Sequence, residues 1–373
     1  MVNSGEAPGV VGGLVSADAH VNEPRGLWKD NLPSALRAQA MAGIRAGEDG
    51  NWEPLFEGAV LDQSSGDEEE RLRVCDPDYR LAVMRQEGIV AECVFPTIGL
   101  YVWTLADPVG GAASCRIYNE WIADRLGALP RFSCAGLVPT WTRADARAEI
   151  EWIADAGLGA IMLPVVAAPE WNSPAWEPIW AQIAETGLPV VFHQGTGHSM
   201  FFYRGPGAGV SNLVATQSMG ARTAALLATS GVLGRHPAVQ VVFVEFNGGW
   251  MAGLMQTLDY YTDAFSRYGK TPSGKPWVNP ALPEPPSFYL RRQVHATFQD
   301  DPVGIHNLSL TGDEALLWGS DFPHEEGTYP HSREVVARLA AGMEPKAAAR
   351  VFRDTAIDLF HFDRDVLTTP ISG

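Results

Sequence analysis

The sequence predicts an α/β fold, specifically a (β/α)8 TIM barrel. Eight short apolar segments recur along the 373 residues, each bounded by Gly, Pro, Asn or Asp, and a segment with helical character follows each one. Several segments are apolar at nearly every position, which is typical of strands covered on both faces. The alternation expected of a half-solvated antiparallel sheet is not seen. Eight strand–helix repeats favour a closed barrel over a doubly wound sheet.

The eight predicted strands are taken from these apolar segments. They span residues 10–18, 89–96, 132–139, 160–165, 189–193, 239–245, 294–298 and 315–321.

Helix starts are marked by capping residues between the strands. An Asp, Ser or Thr can accept the free N–H groups of a first turn, and a following Pro has the backbone angle that this turn needs. Four helices are therefore predicted to start at Asp76-Pro77, Asp107-Pro108, Thr142 and Ser173-Pro174. Later helices are predicted at 211–230, 249–267, 302–311 and 331–342.

Two stretches do not fit the repeat, at about 44–74 and 269–290. The first contains the acidic run GDEEE and the second is rich in Pro. We interpret them as loop insertions at the carboxyl-terminal face of one barrel domain spanning 1–373. Barrel active sites form at that face, so both are candidate lids, and ordinary surface excursions are the equally weighted alternative.

Composition argues against several kinds of partner. The formal net charge is −17, and a surface of that sign repels phosphate backbones and anionic lipid. We therefore expect neither nucleic-acid binding nor binding to a membrane surface. No window reaches 18 uninterrupted apolar residues, so we also expect no membrane-spanning segment. The four cysteines are too far apart for a C-x-x-C motif, and the first residues do not resemble a signal peptide. We therefore expect a cytoplasmic protein with reduced thiols.

Ionisable residues stand at the ends of four predicted strands. Asp18 and His20 close the first, His193 the fifth, Glu245 the sixth and Asp321 the eighth. Burying such groups costs free energy unless something compensates them, and catalytic groups of barrels project from these strand ends. Two imidazoles and three carboxylates without a thiolate suit Zn, Fe or Mn. The sequence therefore predicts a divalent metal site at the barrel mouth.

Four motifs resemble a known family in their order and spacing. SADAHVNEP, VFHQGTGH, EFNGGW and WGSDFPHEEGTYPHS are similar to the amidohydrolase superfamily in its amidohydrolase-related (type 2) branch. That branch includes aminocarboxymuconate-semialdehyde decarboxylase and the resorcylate decarboxylases, and the resemblance implies a metal-dependent barrel hydrolase or decarboxylase. The resemblance covers about residues 14–360.

The resemblance implies a role for each residue that matches a motif. Asp18 and His20 would form the first-strand metal pair, and His193 the fifth-strand ligand. Asp321 would bind metal or its water and carry the proton. The departure is Glu245, because the decarboxylases have a His there. A Glu can bridge two cations or act as a base, so the substitution favours hydrolysis.

The resulting expectation is a metal-dependent hydrolase with one or two Zn, Fe or Mn ions. It would cleave an ester, thioester such as an acyl-CoA, or amide of a largely apolar small-molecule substrate, with Asp321 and Glu245 as catalytic groups. His198 and His324 would orient ligands, and Arg204 would meet an anionic group of the substrate. The alternative is non-oxidative decarboxylation of an unsaturated or aromatic acid, and a non-catalytic binding protein is a third reading. The family resemblance also suggests a homodimer.

Overall fold

Eight parallel strands form the centre of the computed structural model, which describes residues 12–46, 52–56, 69, 72–199 and 202–371. Two further strands form a separate antiparallel hairpin. The strands in chain order are β1 Leu14–Val21, β2 Met41–Ala46, β3 Trp52–Phe56, β4 Ile89–Pro96, β5 Phe132–Leu137, β6 Ala160–Pro164, β7 Val190–His193, β8 Val241–Val244, β9 Val294–Phe298 and β10 Leu316–Trp318. All eight predicted barrel strands are found; β4 and β9 have the predicted ends, and the ends of the other six are shifted.

The sheet closes on itself through the chain just beyond β10. The strand order is β1-β4-β5-β6-β7-β8-β9-β10, and every neighbouring pair is parallel. A parallel bridge joins Ala19 of β1 to Phe322, where the Asp321 N–H donates to the Asp18 carbonyl at 2.9 Å. These contacts confirm the predicted barrel. They also bring the first site motif, with Asp18, next to the last, with Asp321.

Helices surround the barrel in the predicted alternation. They are α1 Leu27–Asn31, α2 Pro77–Glu87, α3 Pro108–Ile122, α4 Arg143–Asp155, α5 Glu177–Thr186, α6 Ala208–Thr229, α7 Val232–Arg235, α8 Trp250–Tyr268, α9 Pro286–Gln293, α10 Pro302–His306, α11 Leu308–Thr311, α12 Ser332–Ala340, α13 Pro345–Ala349, α14 Thr355–Leu359 and α15 Arg364–Thr368. Within the described ranges, no helix is both long and apolar enough to cross a bilayer.

The predicted helix starts follow from side-chain capping. Asp76 accepts the N–H of Tyr79 and begins α2, and Asp107 accepts two N–H groups at the start of α3. Thr142 caps α4 in the same way. Ser173 instead opens a short 3-10 turn, Pro174–Trp176, which leads into α5.

The two insertions differ from their predictions. The described part of 44–74 begins in the hairpin of β2 and β3, and residues 47–51, 57–68 and 70–71 lie outside the described residues. In 269–290, helix α9 already begins at Pro286. Pro280 and Leu282 pack against Gly231, in the connection that leads into β8. That connection is at the amino-terminal end of the barrel, so this part of the insertion approaches the end opposite to the predicted one.

A buried ion pair supports β1 from outside the barrel. Arg80 of α2 donates from Nε to Glu92 Oε2 of β4 at 2.5 Å, and neither side chain is more than 1% exposed. Arg80 Nη1 also donates to the carbonyl oxygen of His20 at 2.7 Å. The guanidinium thereby fixes the end of β1 that carries the candidate ligands.

Candidate metal centre

Asp18 and His20 both point into the barrel from β1. Alternate residues of a strand share a face, so this D-x-H spacing brings two side chains to the same side. Both are fully buried, and His20 Nε2 lies 3.5 Å from Asp18 Oδ1. His20 Nδ1 lies 2.7 Å from the Pro96 carbonyl oxygen, which can only accept a hydrogen bond. The contact therefore fixes the proton on Nδ1 and leaves the Nε2 lone pair facing the centre.

His193 joins this pair from the end of β7. Its Nε2 lies 3.2 Å from His20 Nε2 and 4.0 Å from Asp18 Oδ1. The ring is fully buried, and its Nδ1 lies 3.1 Å from the carbonyl oxygen of Gln194. The lone pairs of both imidazoles are thus available at one point of the barrel interior.

Glu245 and Asp321 reach the centre because their backbones are in the left-handed region. Their backbone φ angles are 68° and 56°, values that residues other than Gly rarely adopt. The Glu245 N–H donates to Thr297 Oγ1 at 2.8 Å, and the Asp321 N–H to the Asp18 carbonyl. These bonds hold a costly conformation just beyond the strand ends, as is common at functional sites.

The two carboxylates contact the imidazoles from the open side. Asp321 Oδ1 lies 3.4 Å from His20 Nε2 and 3.0 Å from His324 Nδ1. Glu245 Oε2 lies 3.6 Å from His193 Nδ1 and Oε1 lies 4.0 Å from His324 Nδ1. The His324 ring packs over that of His20 with centroids 4.0 Å apart, and its side chain is 22% exposed.

These residues form two overlapping groups that could hold a metal ion. One contains Asp18, His20 and His193, and the other His20, Glu245, Asp321 and His324. Ligands bound about 2.1 Å from one ion lie roughly 3.0 to 4.2 Å from each other. The three separations among the ligand atoms of Asp18, His20 and His193, from 3.2 to 4.0 Å, fall in this range, and so does the 3.4 Å between His20 Nε2 and Asp321 Oδ1.

Burial and crowding shift the pKa values of Asp18, His20, His193, Glu245 and Asp321 in the metal-free centre. Burial raises the pKa of Asp18 to about 6 and that of Asp321 to about 9, and the Asp18 charge adds to the shift of Asp321. Burial, with the charges of Asp321 and Asp18, also raises the pKa of Glu245 well above its usual value. Burial lowers the pKa of His20, and that of His193 to about 3. The imidazoles are therefore neutral, as metal binding requires.

The chemistry of the donor set fits a dication. Asp18 Oδ1 and both carboxyl oxygens of Asp321 are buried without a hydrogen-bond partner in the described parts of the chain. Such atoms are rare in native structures and call for a reason. A divalent ion would satisfy them and offset the mutual repulsion of the carboxylates.

Comparison with known proteins places this arrangement in a family. The family model described as amidohydrolase matches residues 17–362, which is most of the chain and includes all the residues above. The chain belongs to the amidohydrolase family. The predicted family resemblance is thereby confirmed. No curated protein matches the sequence.

Solved structures of similar fold cover nearly the whole amidohydrolase chain. An amidohydrolase from Mycobacterium avium subsp. paratuberculosis K-10 is 20% identical with a TM-score of 0.74, over 93% of this chain and 99% of that chain. The 5-carboxyvanillate decarboxylase of Sphingomonas paucimobilis is 20% identical with a TM-score of 0.68, over 94% and 99%. A dihydroxybenzoic acid decarboxylase from Polaromonas sp. JS666, solved with bound manganese, is 16% identical with a TM-score of 0.66, over 94% and 98%.

The predicted site residues divide into those that the amidohydrolase fold brings together and those that it does not. His198 and Arg204 lie on the connection between β7 and α6, outside both ligand groups, and Arg204 is exposed. His198 Nδ1 contacts the Ser199 carbonyl oxygen at 2.9 Å. The role of His198 in orienting ligands and that of Arg204 in binding an anionic group of the substrate stay predictions. The residues brought together are Asp18, His20, His193, Glu245, Asp321 and His324.

Several polar neighbours of the site were not predicted. Thr297 Oγ1 and Gln299 Nε2 donate to Asp18 Oδ2 at 3.3 and 3.2 Å, from the end of β9 and the residue beyond it. Both residues stand at a strand end, but neither is ionisable, so the pattern of charged strand ends does not reveal them. Tyr101 is close enough to Glu245 for the carboxylate charge, together with burial, to raise the pKa of the phenol. Tyr101 follows β4 in an apolar stretch that carried no such signal.

Proposed function

We propose that this amidohydrolase is a metal-dependent decarboxylase of an aromatic or unsaturated carboxylic acid. The observation that carries the proposal is the Asp321 carboxyl, which is fully buried, has no hydrogen bond to either oxygen within the described residues, and has a pKa of about 9 in the metal-free site. Decarboxylation needs an acid of this kind, because the carbon that loses CO2 must gain a proton. Decarboxylases among the structural neighbours favour this reading over acyl-bond hydrolysis.

Four residues would hold the metal: Asp18, His20, His193 and Asp321. When bound, a dication would supply the positive charge that neutralises the carboxylates and attracts the anionic oxygens of the substrate. A single ion suits the geometry, because both candidate groups depend on His20 Nε2 and one lone pair binds one ion. Manganese is our first choice, since carboxylate and imidazole ligands suit it and one neighbour was solved with it.

The chain's own residues would carry the proton. Asp321 gives its proton to the substrate carbon that bears the carboxylate. The bond from that carbon to the carboxylate carbon then breaks, its electron pair returns to the substrate, and CO2 leaves. His324, 3.0 Å from Asp321 Oδ1 and partly exposed, is placed to pass a proton from solvent back to Asp321.

Two other residues would shape the substrate pocket. Glu245 lies beside His193 and His324. An ionised Glu245 carboxylate would repel a negatively charged substrate oxygen there, and a protonated carboxyl would not. Burial and the charges of Asp321 and Asp18 raise the pKa of Glu245 and so favour this protonated form. Tyr101 lies close to Glu245, and its phenol ring would pack against an apolar part of the substrate.

Acyl-bond hydrolysis is the second candidate, and Glu245 is the observation that favours it. A carboxylate next to two imidazoles can accept a proton from water, as a hydrolase requires. The comparisons lend hydrolysis no support.

The test is product analysis with the manganese-loaded protein. Aromatic acids such as 2,6-dihydroxybenzoate and 5-carboxyvanillate are the first probes, and an aryl ester and an acyl thioester are the hydrolysis probes. We expect CO2 release and, in D2O, deuterium on the carbon that carried the carboxylate. Hydrolysis of the ester or thioester without CO2 release from any acid would overturn the proposal.

A further inference from the structure

A buried carboxylate just beyond β1 binds three consecutive backbone N–H groups. Glu23 is fully buried, and its Oε2 accepts from Thr97 and Ile98 at 3.3 and 2.9 Å, while Oε1 accepts from Gly99 at 2.8 Å. The turn from Pro96 to Gly99 is thus clamped to the end of β1. None of the roles described above uses this carboxylate.

The clamped turn contacts two imidazoles of the metal centre. The Pro96 carbonyl oxygen accepts a hydrogen bond from His20 Nδ1 at 2.7 Å, and Thr97 Oγ1 lies 3.3 Å from His324 Nε2. In both rings the contacted nitrogen is the one turned away from Asp321, since His20 Nε2 and His324 Nδ1 face that carboxylate. The turn therefore fixes the proton of His20 on Nδ1, through the Pro96 carbonyl, and it helps to orient both rings.

We propose that Glu23 is a positioning residue for the metal centre. It would act through the Pro96–Gly99 turn on His20 and His324 and would not touch the metal or the substrate. The inference rests on the metal-dependent function proposed above, but not on the identity of the reaction.

Close packing at Gly99 shows how tightly this contact is built. A Cβ atom at Gly99 would lie 2.8 Å from Pro96 Cβ and 3.1 Å from Glu23 Oε1. The absence of a side chain is what lets the backbone N–H approach the carboxylate. A carboxylate with both oxygens engaged also cannot be replaced by an amide, whose NH2 would face an N–H donor.

The first test is manganese affinity in the Glu23→Gln variant, measured by competition with a chelator and without substrate. We expect the dissociation constant to rise about 10- to 100-fold, the usual effect of removing a group that orients a metal ligand. The matched control is Glu87→Gln. Glu87 is also buried and accepts the Ser332 N–H at 2.9 Å, but it ends α2 at the amino-terminal end of the barrel. We expect Glu87→Gln to lower Tm and leave manganese affinity unchanged.

A second variant approaches the same contact from the turn. Gly99→Ala should displace the turn from Glu23 and reproduce the loss of manganese affinity, so it serves as the test if Glu23→Gln does not fold. A Co2+-loaded sample should show the same displacement as a changed visible absorption spectrum. Folded Glu23→Gln with wild-type manganese affinity, or equal losses in Glu23→Gln and Glu87→Gln, would overturn the inference. Wild-type protein that binds manganese but releases no CO2 would overturn the proposed reaction alone.

Discussion

At the scale of single residues, the centre depends on ionisable groups that water does not reach. Asp18, His20, His193 and Asp321 are all fully buried within a few ångströms of each other. In the metal-free protein the shifted pKa values keep both imidazoles neutral and Asp321 protonated at neutral pH, whereas Asp18, with a pKa of about 6, is mostly ionised. Metal binding and protonation are therefore linked, and both can be measured by changing one residue or the pH.

Asp321→Asn should lower kcat by about two to four orders of magnitude, the range expected for loss of a positioned acid. The amide keeps the shape of the carboxyl but cannot supply the proton. Asp300→Asn is the control, because Asp300 is half-exposed and pairs with Arg338 at the surface. Steady-state kinetics on the manganese-loaded variants decide the point. An Asp321→Asn enzyme within tenfold of the wild-type kcat would contradict the role of this carboxyl.

The metal-free protein should lose thermal stability as pH rises from about 6.5 to 9. A carboxyl such as Asp321, with its pKa raised to about 9, stabilises the fold while protonated and loses that contribution as pH rises through the folded value. The lowered pKa of His193 acts in the opposite direction, but only below about 6.5, where an unfolded His is charged.

Differential scanning fluorimetry across this pH range provides the measurement. Manganese should raise Tm more at pH 9 than at pH 6.5, because fewer protons compete with the ion for the carboxylates at the higher pH. Asp321→Asn should flatten the pH dependence of the metal-free protein. A metal-free wild-type Tm that is constant or rising over this interval would contradict the account.

At the scale of elements, the sequence predicted what local patterns control. Apolar segments and capping residues located the barrel strands and the starts of α2, α3 and α4. The ends were harder, since the last strand was predicted to reach 321 but β10 stops at Trp318. Beyond Trp318 the chain leaves the strand conformation, and Asp321 has a left-handed backbone that no local sequence pattern predicts.

The missed contributors act across long sequence separations. Glu23 binds N–H groups more than seventy residues later in the chain. Asp301 accepts the Gly248 and Gly249 N–H groups, both at 2.7 Å, and so fixes the turn after Glu245. Their carboxylates lie in ordinary loop sequence, so their partners appear only when the barrel is assembled. The candidate ligands could be predicted because barrels carry their functional groups at the carboxyl ends of the strands, whatever the surrounding sequence.

The contact between β1 and the chain after β10 should be sensitive to one added methyl group. A Cβ at Gly319 would lie 2.3 Å from Asp18 Cβ and 3.0 Å from the Asp18 nitrogen. Gly319→Ala should therefore displace Asp18 and lower both Tm and manganese affinity. Gly253→Ala is the matched control, because nothing lies within 4 Å of its added Cβ in α8 and Ala favours helix. Unchanged manganese affinity in Gly319→Ala would show that the two chain segments are not tightly packed at the site.

At the scale of the whole molecule, the barrel brings together residues separated by some three hundred positions. Closure depends on β1, which pairs with β4 on one side and bridges to Phe322 on the other. The buried pair of Arg80 and Glu92 lies behind this strand. Stability of the barrel and geometry of the site therefore share the same supports.

Arg80→Met should destabilise the fold by about 3–5 kcal/mol, because Glu92 would be left as an unpaired buried charge. Arg235→Met is the comparison, since Arg235 and Glu177 form a partly exposed pair whose loss should cost under about 1 kcal/mol. Urea unfolding of the metal-free proteins measures both. Equal losses in the two variants would contradict a special role for the buried pair.

The most direct test of the metal centre is an anomalous difference map from crystals grown with manganese, recorded at the manganese absorption edge. The account predicts one peak per chain, within ligand distance of Asp18, His20, His193 and Asp321. A map with no peak at these side chains, from protein shown to be folded and exposed to saturating manganese, would contradict it.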